Sequence, residues 1–245
     1  MIETLDLNQI IFICSIMVLS AVVVGFLAGF FGIGGGIIMV PILFYIFSFV
    51  GMDKSFVMHM AIGTSFLIII PNSIISTITH MKFKAVDFSL VKTFGVFVMM
   101  GVLIGALFAV NSKTSSLVLF FSIMTMIFAI YFLIEKEKIN LKPKKINLIY
   151  RVMLGFSSGF LSAPMGIGGG VYNTPIFKMF GYPINVAIGS SAAIGFLISM
   201  VGAITFASSG SYFNINVPLS LGFLNIPVFL IFVPITTIMA KIGAE

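Results

Sequence analysis

Charged side chains are scarce in this chain of 245 residues. Asp, Glu, Lys and Arg make up 8% of the sequence, whereas hydrophobic residues make up 60%. A soluble domain carries roughly 25% charged residues, so this chain could not cover a water-facing surface of its size. The scarcity excludes a soluble enzyme, a DNA-binding module and a disordered tail. The single cysteine, Cys14, permits neither an internal disulfide nor a cysteine metal site. The composition predicts a polytopic membrane protein.

Uncharged or nearly uncharged apolar stretches follow one another along the whole sequence. A helix needs about 17–25 residues to cross the hydrocarbon of a bilayer, and most of the stretches are that long. The alternating pattern of a membrane β-barrel is absent, which favours an all-α fold. The stretches are Gln9–Phe31, Gly34–Val50, Ser55–Thr79, Thr93–Val110, Ser115–Ile134, Leu148–Ala163, Gly168–Phe180, Ile184–Ser208 and Val217–Ala240, of which the sixth and seventh are short.

The basic residues predict the orientation of the chain in the membrane. With the N-terminus outside, all of them except Lys54 and Lys113 fall on the cytoplasmic side, in agreement with the positive-inside rule. Loops 80–92 and 135–151 are then cytoplasmic. The parity is the same if the two short stretches form re-entrant hairpins with their neighbours. The net charge of +6 therefore marks cytoplasmic loops and does not indicate a nucleic-acid partner.

A glycine-rich pattern occurs twice in the sequence. The segment Gly32-Ile33-Gly34-Gly35-Gly36-Ile37 recurs as Gly166-Ile167-Gly168-Gly169-Gly170-Val171, and a proline follows each copy at the same distance, Pro41 and Pro175. Downstream, Ala-Ile-Gly-Thr-Ser at 61–65 recurs as Ala-Ile-Gly-Ser-Ser at 187–191. The pattern predicts a duplication, with a first repeat over 1–134, a basic cytoplasmic linker over 135–147 and a second repeat over 148–245.

An odd number of crossings in the first repeat inverts the second repeat relative to it. The prediction is two inverted repeats of about five helices each, an arrangement typical of secondary transporters, whose substrate sites lie between the halves. The second repeat ends at the counterpart of the fourth crossing, so by internal symmetry its last helix is expected to be missing. An anion channel and a structural membrane subunit are the alternative functions.

The duplicated glycine turns are the candidate binding site. A turn of this composition that opens a helix presents backbone N–H groups to a ligand, and the N-terminus of a helix attracts an anion. The competing interpretation is that the glycines only allow helices to cross closely. At least some of the repeated hydroxyls are expected to line the same cavity, the alternative being that they bond back to a carbonyl one turn earlier in their own helix. Asn173 has a similar choice between donating to a ligand and joining two helices. The candidate residues are Gly32, Gly34, Gly35, Gly36, Thr64, Ser65, Gly166, Gly168, Gly169, Gly170, Asn173, Ser190 and Ser191.

No constellation of residues points to catalysis. Every Asp and Glu falls at the end of an apolar stretch, in a loop or at a terminus, so a proton relay through a mid-membrane carboxylate has no candidate. The glycine turn has neither the acidic residue of a dinucleotide-binding fold nor the Gly-Lys-Ser/Thr of a P-loop. No catalytic residue, metal ligand or cofactor is predicted, and an intramembrane enzyme is poorly supported.

The paired glycine turns and the two Ala-Ile-Gly segments resemble the TauE/SafE sulfite-exporter family. The resemblance extends through residues 80–87 and the Gly222–Pro227 stretch, and so covers nearly the whole chain. It implies a multi-pass carrier in the bacterial inner membrane whose substrate is a small sulfur-containing anion such as sulfite, thiosulfate or an organosulfonate. The lipid bilayer and this anion are the expected partners, and a homo-oligomer is not excluded.

Overall fold

Residues 6–32, 34–134, 146–213 and 217–245 are described by the computed structural model, and they form nine α-helices. The first five are α1 (Leu7–Phe31), α2 (Gly36–Phe49), α3 (Val57–Lys82), α4 (Phe88–Val110) and α5 (Thr114–Ile134). The others are α6 (Leu148–Met165), α7 (Gly170–Met179), α8 (Ile184–Tyr212) and α9 (Ile226–Ala244). Two short antiparallel strands, β1 (Ser220–Leu221) and β2 (Leu224–Asn225), precede α9. The predicted linker lies mostly in residues 135–145, outside the described residues.

The all-α membrane fold predicted from the sequence is confirmed. Within the described part of the chain, six helices are long and apolar enough to cross a membrane, namely α1, α3, α4, α5, α8 and α9. A helix satisfies its own backbone hydrogen bonds, which is why apolar runs of this length become helical in lipid. The stretch predicted over Gly34–Val50 forms only the 14-residue helix α2, and α7 has 10 residues. At 1.5 Å per residue these helices are about 21 and 15 Å long and reach only part of a ~30 Å hydrocarbon layer.

Helices α3 and α8 pack against each other at the centre of the bundle. Around them, α1 packs against α9 and α4 packs against α6. Small residues bring these outer pairs together: a Cβ atom at Gly29 would overlap the carbonyl oxygen of Ala240, and one at Gly159 would overlap that of Val98. Helix α5, by contrast, is mostly exposed, as expected of a face that contacts lipid. The central pair is therefore shielded on both sides and can hold buried polar residues.

Candidate substrate-binding site

Two glycine-rich turns interrupt the helices in the interior of the bundle. In the first turn, between α1 and α2, Gly32, Gly34 and Gly35 have φ angles of 63°, 71° and 78°. In the second, between α6 and α7, Gly166 and Gly169 have φ angles of 64° and 73°. These left-handed conformations are readily adopted by glycine and rarely by other residues. The repeated pattern thus encodes the same left-handed conformation at Gly32 and Gly166 and at Gly35 and Gly169, whereas Gly34 adopts it and its counterpart Gly168 does not.

The two turns are in direct backbone contact. A Cβ atom at Gly34 would lie 3.4 Å from the Cα atom of Gly168, and one at Gly36 would overlap the carbonyl oxygen of Gly166. The described glycines of both turns are buried. The structure therefore brings together the glycines that the sequence had identified 134 residues apart.

Each turn ends at the N-terminus of a short helix that no side chain caps. Helix α2 follows Gly35 and helix α7 follows Gly169, and neither has a hydrogen bond from its first N–H groups to the side chain of the capping residue. The first four N–H groups of a helix have no acceptor within it. Together with the helix dipole, they give this point of the protein interior a positive potential that suits an anion.

Two of the four predicted hydroxyls contact the second half of the chain near these turns. Ser65 on α3 donates a hydrogen bond of 2.8 Å to the carbonyl oxygen of Gly166 in the second turn. Ser191 on α8 accepts a hydrogen bond of 3.0 Å from the hydroxyl of Thr174 on α7. Both serines are fully buried. They tie the central helices to the elements that form the turns.

The other two hydroxyls bond to the start of a helix in the opposite half. Thr64 accepts a hydrogen bond of 3.0 Å from the backbone N–H of Asn225, the N-cap of α9. Ser190 accepts one of 3.0 Å from the backbone N–H of Asp87, the N-cap of α4. The two bonds are equivalent under the duplication that the sequence predicts. Thr64 and Ser190 therefore each hold the start of a helix in the opposite half of the chain.

The amide of Asn173 on α7 has one end held and the other end without a partner. Its Oδ1 atom accepts a 2.6 Å hydrogen bond from the hydroxyl of Ser158, whereas its buried Nδ2 atom has no hydrogen-bond partner. A Cβ atom at Gly169 would lie 3.0 Å from that Nδ2 and 3.6 Å from the hydroxyl of Ser162, which is also unpartnered. Unpaired buried polar groups are costly, so these atoms are candidates for ligand contacts.

Asn72 on α3, beside the first turn, also has one end of its amide held and the other end without a partner. Its Oδ1 atom accepts hydrogen bonds of 3.0 and 3.3 Å from the hydroxyls of Thr236 and Thr237 on α9. Its Nδ2 atom is buried without a partner, as is the hydroxyl of Ser76 one turn further along α3. An amide nitrogen can only donate, so two unused donors, those of Asn72 and Asn173, lie near the two turns.

A small internal cavity joins Asn72 to the first turn. It encloses about 150 Å³ and is too narrow in this conformation to admit a water molecule. No Asp, Glu, Lys or Arg is among its lining residues, and none of the described residues of these types is buried. The electrostatics of the cavity therefore come from helix ends, amides and hydroxyls. Its lining residues are Ala28, Gly32, Gly34, Asn72, Ser73, Ser76 and Ala192.

Sequence reasoning missed the polar faces of α3 and α6 as parts of this region. Asn72 with Ser76, and Ser158 with Ser162, are each four residues apart within apolar helices. Residues at this spacing lie on one face of a helix. Polar pairs at that spacing inside a membrane span were the signal that could have found them.

Curated relatives of this chain are described as probable membrane transporter proteins. One from Haemophilus influenzae is 32% identical over 221 residues, covering 90% of this chain and 84% of the relative. One from Methanocaldococcus jannaschii is 29% identical over 241 residues, covering 97% and 87%. One from Bacillus subtilis is 28% identical over 214 residues, covering 80% and 78%. No solved structure gives a significant match.

The sequence profile of one family spans most of the chain. It is that of the sulfite exporter TauE/SafE family, and it matches residues 17–245, a range that includes both glycine turns and the helices around them. Together with the membrane-spanning helices and the transporter relatives, the match establishes a multi-pass membrane transporter. The chain belongs to the TauE/SafE sulfite exporter family.

Proposed function

We propose that this transporter is a secondary carrier that moves a small sulfur-containing anion, and that the anion binds where the two glycine turns meet. One observation carries the proposal. Two uncapped helix N-termini approach each other in the interior, beside the unpaired amide donors of Asn72 and Asn173. Helix N-termini and N–H donors stabilise negative charge.

The same region offers little to a cation. No carboxylate lines the cavity, and the buried groups without partners include two amide donors. No lysine or arginine lines it either, so a bound anion is held by neutral dipoles alone. A site without an opposite full charge binds an anion weakly enough to release it, as transport requires.

The chemical identity of the anion is supported by the family to which the chain belongs. The family is described by sulfite export, and sulfite, thiosulfate and organosulfonates share a compact sulfur–oxygen group with several acceptor oxygens. Such a group suits a cradle made of N–H and O–H donors. The membrane in question is the bacterial inner membrane, with the N-terminus of the chain outside.

The packing of the helices supports two inverted repeats. Under the duplication, α1 to α4 correspond to α6 to α9. Helix α1 packs against α9, and its counterpart α6 packs against α4, the counterpart of α9. The bonds that Thr64 and Ser190 accept are exchanged by the same relation. Inverted repeats around a central site are the arrangement by which many secondary transporters alternate access.

Flux measurements on reconstituted vesicles test the proposal. Vesicles are loaded in parallel with sulfite, sulfate, phosphate, chloride or taurine, and efflux of each solute is measured. We expect saturable efflux of sulfite. Taurine carries an ammonium group beside its sulfonate and has no net charge near pH 7, so its efflux tests whether the sulfonate group alone is sufficient. A flux that rises linearly with concentration would indicate an anion channel instead, and movement of sodium or potassium with no anion would contradict the proposal.

Glycine substitutions locate the site in the same assay. A valine at Gly169 needs a left-handed backbone, and its Cβ would overlap the side chain of Ile198 and lie 3.0 Å from the Nδ2 of Asn173, so we expect transport to be lost. Gly51 is the matched control, because its φ is also left-handed, at 80°, and nothing lies within 4 Å of its Cβ position. Gly51→Val carries a similar backbone strain without affecting the site and should transport. Normal transport by Gly169→Val would mean that the turn serves packing only.

A further inference from the structure

The two ends of the central helix pair are built on equivalent glycines but differ in what covers them. A Cβ atom at Gly63 on α3 would lie 2.5 Å from the carbonyl oxygen of Phe223 and 3.2 Å from the Cβ of Phe206. At Gly189 on α8, the corresponding positions are occupied by the carbonyl oxygen of Ala85 and the Cβ of His80. Phe223 at one end therefore corresponds to Ala85 at the other, and Phe206 corresponds to His80.

The end that carries Phe223 is filled by aromatic rings that contact one another. Phe223 lies 6.1 Å from Phe206 and 5.2 Å from the ring of His59, and Phe206 lies 5.9 Å from Phe66. The three phenylalanines have no exposed surface, and His59 is held by a 3.0 Å contact of its Nε2 atom with the carbonyl oxygen of Ser112. Among the described residues, these side chains therefore form a closely packed layer at this end of the bundle.

The other end holds an open pocket instead. His80, Ala85, Asn185 and Ile188 line it, together with residues from the ends of α1 and α9 and the acidic Glu245 at its edge. Ile188 also forms the floor, because a Cβ atom at Gly32 would lie 2.6 Å from its carbonyl oxygen. Since Gly32 lines the central cavity, a single layer of contacts separates that cavity from the pocket.

We propose that Phe206, Phe223 and His59 form the barrier that closes the substrate route at the end of the bundle carrying Lys113, and that the pocket above Ile188 is the route at the opposite end. We call the three residues the aromatic barrier. This inference rests on the proposed function in one respect, that the substrate reaches the central cavity. In the structure the cavity is closed at one end by these rings and at the other by the single contact of Gly32 with Ile188, and transport requires each closure to open in turn.

Cysteine accessibility measures the barrier without measuring transport. In a Cys14→Ser background, Ser76→Cys places a thiol in the central cavity, and single cysteines at Lys84 and Lys113 mark the two faces of the membrane. An anionic, membrane-impermeant methanethiosulfonate reagent is applied to intact cells and to inverted vesicles. We expect Ser76→Cys to react from the face that Lys84→Cys marks, at least tenfold faster than from the face of Lys113→Cys.

Opening the barrier should change this sidedness. Adding Phe223→Ala, or the milder Phe206→Leu, should raise the reaction rate from the Lys113 face at least tenfold. Phe232→Ala is the matched control, since Phe232 is an equally buried phenylalanine on α9 outside the barrier. Equal reaction from both faces in the parent, or no gain in either barrier variant that folds, would overturn the proposal.

A protection experiment separates this inference from the proposed function. Isethionate, a sulfonate that does not react with thiols, is added to Ser76→Cys before the reagent. Protection together with one-sided reaction supports both proposals. One-sided reaction without protection by isethionate, sulfate or chloride supports the barrier and contradicts the anion site.

Discussion

Replacing Asn72 with leucine separates a binding role from a structural one. Each of the two threonine hydroxyls that contact its Oδ1 has a single proton, and a backbone carbonyl one turn earlier is an alternative acceptor for it: that of Phe232 lies 2.9 Å from Thr236, and that of Val233 lies 2.5 Å from Thr237. They remain satisfied when the amide is removed. In the protein without a ligand, the unpaired Nδ2 lowers the free energy of unfolding by about 1–3 kcal/mol, and the substitution removes this cost. The substitution also removes the hydrogen bonds of Oδ1, each of which contributes about 1 kcal/mol. We therefore expect Asn72→Leu to leave the melting temperature within a few degrees of the parent.

Binding should respond very differently to the same change. A hydrogen bond from a neutral donor to a charged ligand contributes about 1.5–3 kcal/mol, which corresponds to roughly 10- to 150-fold in affinity. The concentration of sulfite that half-saturates efflux from vesicles should rise by that factor, and stabilisation of the purified protein by sulfite should fall accordingly. Asn111→Leu changes an exposed asparagine at the end of α4 and should alter neither quantity. A strongly destabilised Asn72→Leu protein whose half-saturation is unchanged would refute the reasoning.

Three further predictions concern the contacts that hold the bundle. Thr64→Val removes the acceptor of a buried N–H and should lower the free energy of unfolding by about 1–3 kcal/mol, measured by thermal or denaturant unfolding. Gly159→Leu should abolish the folded protein in detergent, seen by size-exclusion chromatography, because the side chain would overlap the backbone of α4, whereas Gly51→Leu should be tolerated. A cysteine that replaces Lys84 should be labelled only after the cells are permeabilised. A cysteine that replaces Lys113 should be labelled in intact cells. Labelling of both in intact cells would contradict the inverted topology.

The fold was predictable because its strongest determinants are local. Each long apolar run contains a helix, and the repeated glycines fixed the place of both turns. The stretch predicted over Val217–Ala240 was wrong in its first part, because residues 217–225 form turns and the β1–β2 hairpin and α9 begins at Ile226. The length of α2 was not predictable from hydropathy, since Gly34 and Gly35 are uncharged and read as part of an apolar stretch. Their left-handed backbone ends the segment instead, so the helix starts at Gly36.

The candidate site was predictable only in its backbone. Repetition identifies the turns, because both halves need the same backbone shape. The amide donors are not repeated: by the offset of the Ala-Ile-Gly segments, Asn72 on α3 corresponds to Ile198 on α8, and by that of the turns Asn173 on α7 corresponds to Met39 on α2. A search guided by symmetry overlooks residues present in one half alone. Their roles depend on contacts between distant segments, such as that between Asn72 and Thr236, which sequence spacing does not encode.

This difference between repeated backbone and unrepeated side chains suggests how the two halves divide the work. The symmetric elements are those that would exchange roles under the proposed alternation of access: the turns, the paired outer helices, and the hydroxyls that hold the N-caps of α4 and α9. The asymmetric elements are the amides near the turns and the aromatic side chains at one end. A bound anion does not share the twofold relation between the two halves, and the solutions on the two sides of a membrane differ. Side chains that recognise the anion or close one face therefore have no reason to be duplicated, whereas the backbone that moves does.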